Sequence, residues 1–169
     1  MFERMSESLR NTIIHASKEA AALGAEAVGP EHLLASIAAQ SGSVASSVLA
    51  EAGVTPEAIR RAIEAEDAET LATIGISLDA VRRKVEQGMG EKAWSQPMVK
   101  WNGPFTQAGK DAILSTIGVV RKLRRREITP EHLLLALLEH SLTVDAVLNR
   151  IGVSRAEIRQ RIFSEVSKS

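Results

Sequence analysis

The sequence predicts an all-α protein built from two copies of one helical unit. Three observations lead there. The first is an internal repeat. Gly29-Pro30-Glu31-His32-Leu33-Leu34 returns one hundred positions later as Thr129-Pro130-Glu131-His132-Leu133-Leu134, and repeats of this kind mark stacked supersecondary units. The same offset pairs Met5-Ser6 with Phe105-Thr106, Ile13 with Ile113, Leu23 with Leu123, Val28 with Ile128 and Val44 with Val144. The second observation is that apolar residues recur at three- and four-residue steps, the period of an amphipathic helix. The third is that strand-like alternation is missing throughout.

Taken in order, Leu9, Ile13, Ile14, Ala16, Ala20 and Leu23 form one apolar stripe on a helix from about Ser6 to Leu23. Pro30 and Pro130 suit a first helical position, where the missing N–H costs nothing, and Thr129 offers a capping hydroxyl before the second of them. The helices that follow, to Gln40 and to His140, are short and strongly apolar, so they should be the most buried. Val44 to Ala52 and Val144 to Ile151 form a third helix, each stopped by a glycine, Gly53 or Gly152. Past this point the copies match with a one-residue deletion: Val48-Leu49 with Val147-Leu148, Gly53-Val54-Thr55 with Gly152-Val153-Ser154, and Ile59-Arg60 with Ile158-Arg159. Thr55 and Ser154 cap a fourth helix.

Between the copies lies a partial third one. Leu71-Ala72-Thr73-Ile74-Gly75-Ile76-Ser77, followed by Val81-Arg82, resembles Leu49 to Thr55 followed by Ile59-Arg60. The expected plan is a single domain over 1–169: repeat one at 1–64, an inserted half-repeat helix at 65–86, a linker at 87–104 and repeat two at 105–167. It is a pseudo-twofold tandem of two four-helix units, about eight helices in all besides the insert. The linker is rich in Gly and Pro and holds both tryptophans, Trp94 and Trp101, which are expected to fold back across a groove between the units.

Composition narrows the function. Of 169 residues, 44% are hydrophobic and 25% charged, with 21 Lys+Arg against 21 Asp+Glu, so no global field favours nucleic acid or a membrane. Without cysteine there is no disulfide, thiolate metal site or cysteine nucleophile. Aromatic content of 3% argues against a stacking platform for single-stranded nucleic acid. No apolar run approaches the length of a membrane span, the first residues lack the plan of a signal peptide, and a cytoplasmic protein is expected. No Gly-x-x-x-x-Gly-Lys-Ser/Thr loop is present to cradle a nucleotide, no Gly-x-Ser-x-Gly elbow appears, and no His-x-x-x-His spacing could hold zinc. His32 and His132 sit in apolar helical context and are expected to be hydrogen-bonded core residues. The chain is therefore expected to be no enzyme and to need no cofactor or metal.

Met-Phe-Glu-Arg at the start, Glu-His-Leu-Leu in each unit, the Gly-Val plus Ile-Arg ending and Pro104-Phe105-Thr106 opening the second unit resemble the Clp N-terminal repeat domain, which heads ClpC- and ClpA-type unfoldase ATPases. The resemblance spans nearly the whole chain except the insert and part of the linker. It implies an eight-helix pseudo-twofold bundle and a non-catalytic recognition module, without ATPase modules. Expected partners are Clp unfoldase and protease components, adaptor or substrate proteins and peptide ligands, with no membrane. Such a module could assist an unfoldase, compete with it, or sequester a peptide that disables it.

The resemblance also implies sites. Family members recognise phosphorylated arginine, the matching glutamate taking the guanidinium and helix-start groups the phosphate. By position this gives pockets of Glu31 with Ser6 and Glu131 with Thr106. The chain differs in placing Pro30 and Pro130 before these glutamates, where the family usually has threonine, and Met5 at a usual aromatic. A glutamate in a first helical turn is equally explained by the macrodipole. Phe2, Arg10, Phe105 and Lys110 match a surface that takes adaptors and cyclic peptides in the family, although both phenylalanines also read as core staples. The alternative function is nucleic-acid binding through the basic cluster Arg121-Lys122-Leu123-Arg124-Arg125-Arg126, which reads equally as a solvated helix end.

Overall fold

The computed structural model describes residues 4–73 and 105–168. Eight helices occupy them: α1 (Glu7–Ala22), α2 (Pro30–Ala39), α3 (Val44–Glu51), α4 (Pro56–Thr73), α5 (Gln107–Lys122), α6 (Pro130–His140), α7 (Leu142–Ile151) and α8 (Arg155–Lys168). Residues 65–73, the start of the expected insert, continue α4 without a break. The rest of that insert, the linker with Trp94 and Trp101, and Phe2 lie outside the described residues.

The helix boundaries follow local chemistry. Ser6 Oγ accepts from the Leu9 N–H at 3.0 Å and Thr106 Oγ1 from the Gly109 N–H at 2.9 Å, so each first helix opens on a hydroxyl cap. Pro30 and Pro130 take the first position of α2 and α6. α3 and α7 open on Ser43 and Ser141, and α7 begins two residues before the expected Val144. Gly53 and Gly152, at φ +83° and +86°, follow those helices in the left-handed conformation, which costs a residue without Cβ nothing. Thr55 Oγ1 caps α4 through the Ala58 N–H at 3.1 Å.

α2 and α6 lie at the centre. Every residue from Leu133 to Leu138 is buried, because α5, α7, α8 and elements of the other repeat surround α6. The halves interlock: α3 packs on α8 and α7 packs on α4, each third helix against the fourth helix of the other repeat. Arg161–Glu51 and Arg150–Glu69 ion pairs cross these two seams. The stripe on α1 is narrower than expected. Leu9, Ala16 and Ala20 are buried and Ile13 and Leu23 pack against the core, but Ile14 is 60% exposed, since it lies one position off the inward face. Its repeat mate Leu114 is exposed too.

Two short parallel bridges tie the repeats together, Met5 with Ile128 and Val28 with Phe105. The Ser6 N–H donates to the Ile128 carbonyl and the Thr106 N–H to the Val28 carbonyl, both at 2.9 Å. One bridge is the other displaced by the repeat.

Candidate functional site

The connection from α1 to α2 spans only seven residues, which makes the two an antiparallel hairpin. Gln40, at the end of α2, donates to the Ser8 carbonyl at the start of α1, and Ser36 Oγ donates to the Thr12 carbonyl. Ser6 and Glu31 therefore sit at opposite ends of the hairpin, about ten residues or 15 Å of helix apart. The pairing of Glu31 with Ser6 and Glu131 with Thr106 is corrected accordingly. The bridges set Ser6 beside Ile128, three residues from Glu131, and Thr106 beside Val28, three residues from Glu31. Each helix-start residue thus lies beside the segment that leads to the other repeat's glutamate.

The two glutamates differ in posture. Glu31 folds back over Gly29, so closely that a Cβ there would meet its carboxylate oxygens at 2.5–2.6 Å. Burial raises its pKa, opposed by its own backbone N–H, and Glu66 on α4 raises it further. Burial likewise raises Asp67, with Glu66 and Glu31 adding to it. Position 129 carries threonine, whose Cβ closes that folded-back space. Glu131 instead reaches across the seam, its Oε1 accepting from the Ala45 N–H at 3.2 Å in the first turn of α3, where the helix dipole favours a carboxylate.

The histidines after these glutamates are core residues, as expected, and they also cap. His32 Nδ1 accepts from the Gly29 N–H at 2.9 Å and His132 Nδ1 from the Thr129 N–H at 3.1 Å. That is the part glutamate or glutamine plays at the third helical position of a capping box. Thr129 Oγ1 lies 2.8 Å from the same His132 nitrogen rather than on a helix amide. Burial lowers the pKa of both rings, that of His32 to about 4. The three-residue spacing from Gly29 and Thr129 was the available signal for this capping. Sequence reading also missed Glu19, buried on α1 and held bidentately by Arg60 of α4 at 2.6 and 3.0 Å.

Of the expected adaptor surface, Arg10 and Lys110 are exposed on α1 and α5, whereas Phe105 is half-buried and packs against the core. Phe105 is thus a staple between repeats. The basic cluster forms no continuous stripe: Arg121 and Lys122 end α5, Arg124 turns left-handed at φ +55°, and Arg125 Nη2 donates to the Val166 carbonyl at the end of α8. Among the described residues no group of three or more His, Asp or Glu could hold a metal ion, and no single helix is long and apolar enough to cross a membrane.

A trough runs along the α3–α8 seam. Its middle section lies between Val44 and Glu51 on one side and Gln160 and Glu165 on the other. One end opens beside Gly152 and Ser154. The other end is a cleft of about 420 Å³ containing Arg125, Arg126, Glu131 and His132.

Comparison with known proteins gives this architecture a lineage. The family described as Clp repeat (R) N-terminal domain matches residues 4–70 and again 104–169, one match per repeat. The chloroplastic chaperone protein ClpC1 of Arabidopsis thaliana is 28% identical over 170 residues, covering 100% of this chain and 16% of that protein. The negative regulator of genetic competence ClpC/MecB of Bacillus subtilis (strain 168) is 27% identical over 164 residues, 96% of this chain and 17% of its own length. The chain thus spans about one sixth of these relatives. Among solved structures, the N-terminal domain of the chaperone ClpD from Arabidopsis thaliana superposes with a TM-score of 0.69 at 21% identity, covering 98% of this chain and 99% of that one. The Hsp104 N-terminal domain from Candida albicans gives 0.66 at 13%, covering 98% and 93%. At these identities the structural likeness establishes the fold.

Proposed function

Because the chain belongs to the Clp repeat (R) N-terminal domain family, we propose that it is a non-catalytic recognition module of a Clp system, binding substrate proteins, adaptors or peptide ligands. The observation that carries this reading is the pair of inter-repeat seams. Each places a helix-start hydroxyl, Ser6 or Thr106, beside the strand-like segment leading to a glutamate of the other repeat. A carboxylate facing a helix N-terminus suits a bipolar group such as phosphorylated arginine, the carboxylate taking the planar guanidinium and helix amides the phosphate. Cyclic peptides and adaptors would use the exposed faces of α1 and α5 that carry Arg10 and Lys110. Such a module assists or competes with an unfoldase by holding ligands.

The test is retention of an arginine-phosphorylated protein on the immobilised chain, against the unmodified protein. Retention of the phosphorylated form is expected, falling roughly tenfold when Glu31→Ala and Glu131→Ala are combined, as for loss of charge-assisted hydrogen bonds. Retention of neither form, or retention indifferent to both changes, would reject the reading.

A further inference from the structure

We propose that the second repeat carries a self-complementary docking face, through which Leu142 of one molecule enters the cleft between α5 and α6 of a second copy and receives the same contact in return. The inference is independent of the recognition role and uses neither glutamate seam.

The first repeat shows what fills this place from within. Gln40 Nε2 donates to the Ser8 carbonyl at 3.1 Å and to the Ser8 hydroxyl at 3.0 Å. Its Oε1 accepts from the Thr12 hydroxyl, and Ser36 Oγ donates to the Thr12 carbonyl at 2.6 Å. One hundred positions later Ser8, Thr12 and Ser36 are all replaced by alanine, and Gln40 by His140. The plug is lost together with the polar groups that held it, and a cleft of about 320 Å³ takes their place. Ala112 and Ala136 are buried in its wall, while Asp111 on α5 and His140 at the end of α6 are exposed beside it.

The turn after the hairpin changes as well. Gly42 is left-handed at φ +89°, a conformation that strains leucine. Its counterpart Leu142 instead opens α7 behind the Ser141 cap and stands at the edge of the cleft, 84% exposed. A lone exposed leucine is ordinary. This one borders an alanine-walled cleft, and all four exchanges, at 108, 112, 136 and 142, put an apolar side chain where the first repeat has a polar one or none. The face both accepts an apolar side chain and offers one.

A second copy is the occupant that meets both conditions. A knob and a hole on one patch pair about a twofold axis, which makes every contact twice. Seating Leu142 in the facing cleft lays the α6–α7 corner of each molecule over α5 of the other, so that His140 meets Asp111. The ring donates to a carboxylate in either protonation state. Glu139, 3.7 Å from His140 on the same helix, is already held by Arg159 at 2.8 Å, and Asp111 accepts from the neutral Gln107 amide at 2.9 Å. With 21 Lys+Arg against 21 Asp+Glu, two copies approach without long-range repulsion.

Sedimentation equilibrium of the full chain, from roughly 10 μM to 1 mM, reads the association. The mass is expected to rise from that of one chain to that of two. Leu142→Glu, which suits an exposed first helical turn and should leave the circular dichroism spectrum unchanged, should raise the dissociation constant about a hundredfold or more, because both leucines lose their cover. Asp111→Arg and His140→Asp should each weaken association several-fold, and the double variant, which exchanges the two charges, should regain it. Association indifferent to Leu142→Glu, or a double variant no tighter than the single ones, would overturn the twofold pairing. A single-chain mass at every concentration would overturn it too, and would give the cleft to an apolar side chain of a different protein.

Discussion

At the scale of single residues, His32 couples the stability of the fold to pH. It is 3% exposed and depressed to about 4 by burial, against 6.5 for a free ring. Between those values the unfolded chain holds a proton that the native ring refuses. Stability is therefore complete above pH 6.5 and drains away as the pH falls towards 4. His132, lowered for the same reason, adds to the loss. Glu31 works in the opposite sense, because a carboxyl raised by burial is protonated first in the native state and so recovers stability as acid is added. His32→Gln keeps an acceptor for the Gly29 N–H, as a capping box does, but removes the titration. The denaturation free energy lost between pH 7 and pH 5 should shrink by about 1–2 kcal/mol in this variant; an unchanged loss would mean that His32 protonates within the fold. The burial of both histidines was legible in the sequence from their apolar setting. The orientation of Glu31 and Glu131 was not, since it depends on whether position 29 or 129 carries a Cβ.

At the scale of helices and their ends, the repeat makes its own control experiment. Gly24 follows α1 at φ +71°, and Arg124, one repeat later, follows α5 at φ +55°. The same left-handed turn is free for glycine but costs a residue with a Cβ about 1 kcal/mol or more. Arg124→Gly should therefore raise stability by about 1 kcal/mol, read as a higher midpoint in chemical denaturation, and a lower midpoint would show that the arginine side chain outweighs its backbone strain. Helix ends were legible because Pro30, Pro130, Gly53 and Gly152 act locally. The pairing of Ser6 with the second repeat's glutamate segment was not read from the repeat, which aligns equivalent positions and says nothing of direction. Only the short turn between α1 and α2, which makes the hairpin antiparallel, sends the two helix starts to opposite ends and hands each hydroxyl to the other half. The trough between α3 and α8 was hidden for a related reason: it is a contact between non-equivalent helices.

At the scale of the whole molecule, the two repeats are one cooperative unit. A helix with one buried stripe can fold against a single neighbour, but six consecutive buried residues, Leu133 to Leu138, need cover on every side. Part of that cover comes from the first repeat, through α1, α2 and α3. The exchange of third and fourth helices across the seams means that α7 loses α4, and α8 loses α3, when the halves are parted. The backbone bridges at Ile128 and Phe105 are lost with them. The exposed ion pairs across the seams are too weakly coupled to compensate. A fragment of residues 105–169 should therefore show no cooperative thermal transition by circular dichroism on its own, whereas residues 1–169 should melt in a single step. A sharp transition in the isolated fragment would mean that each repeat buries its own core. In that event the seams would be docking surfaces between finished domains. The interlocked arrangement predicts the reverse: Glu131 of the second repeat already anchors α3 of the first through the Ala45 N–H, so the free energy of binding at either seam adds to the stability of the entire chain.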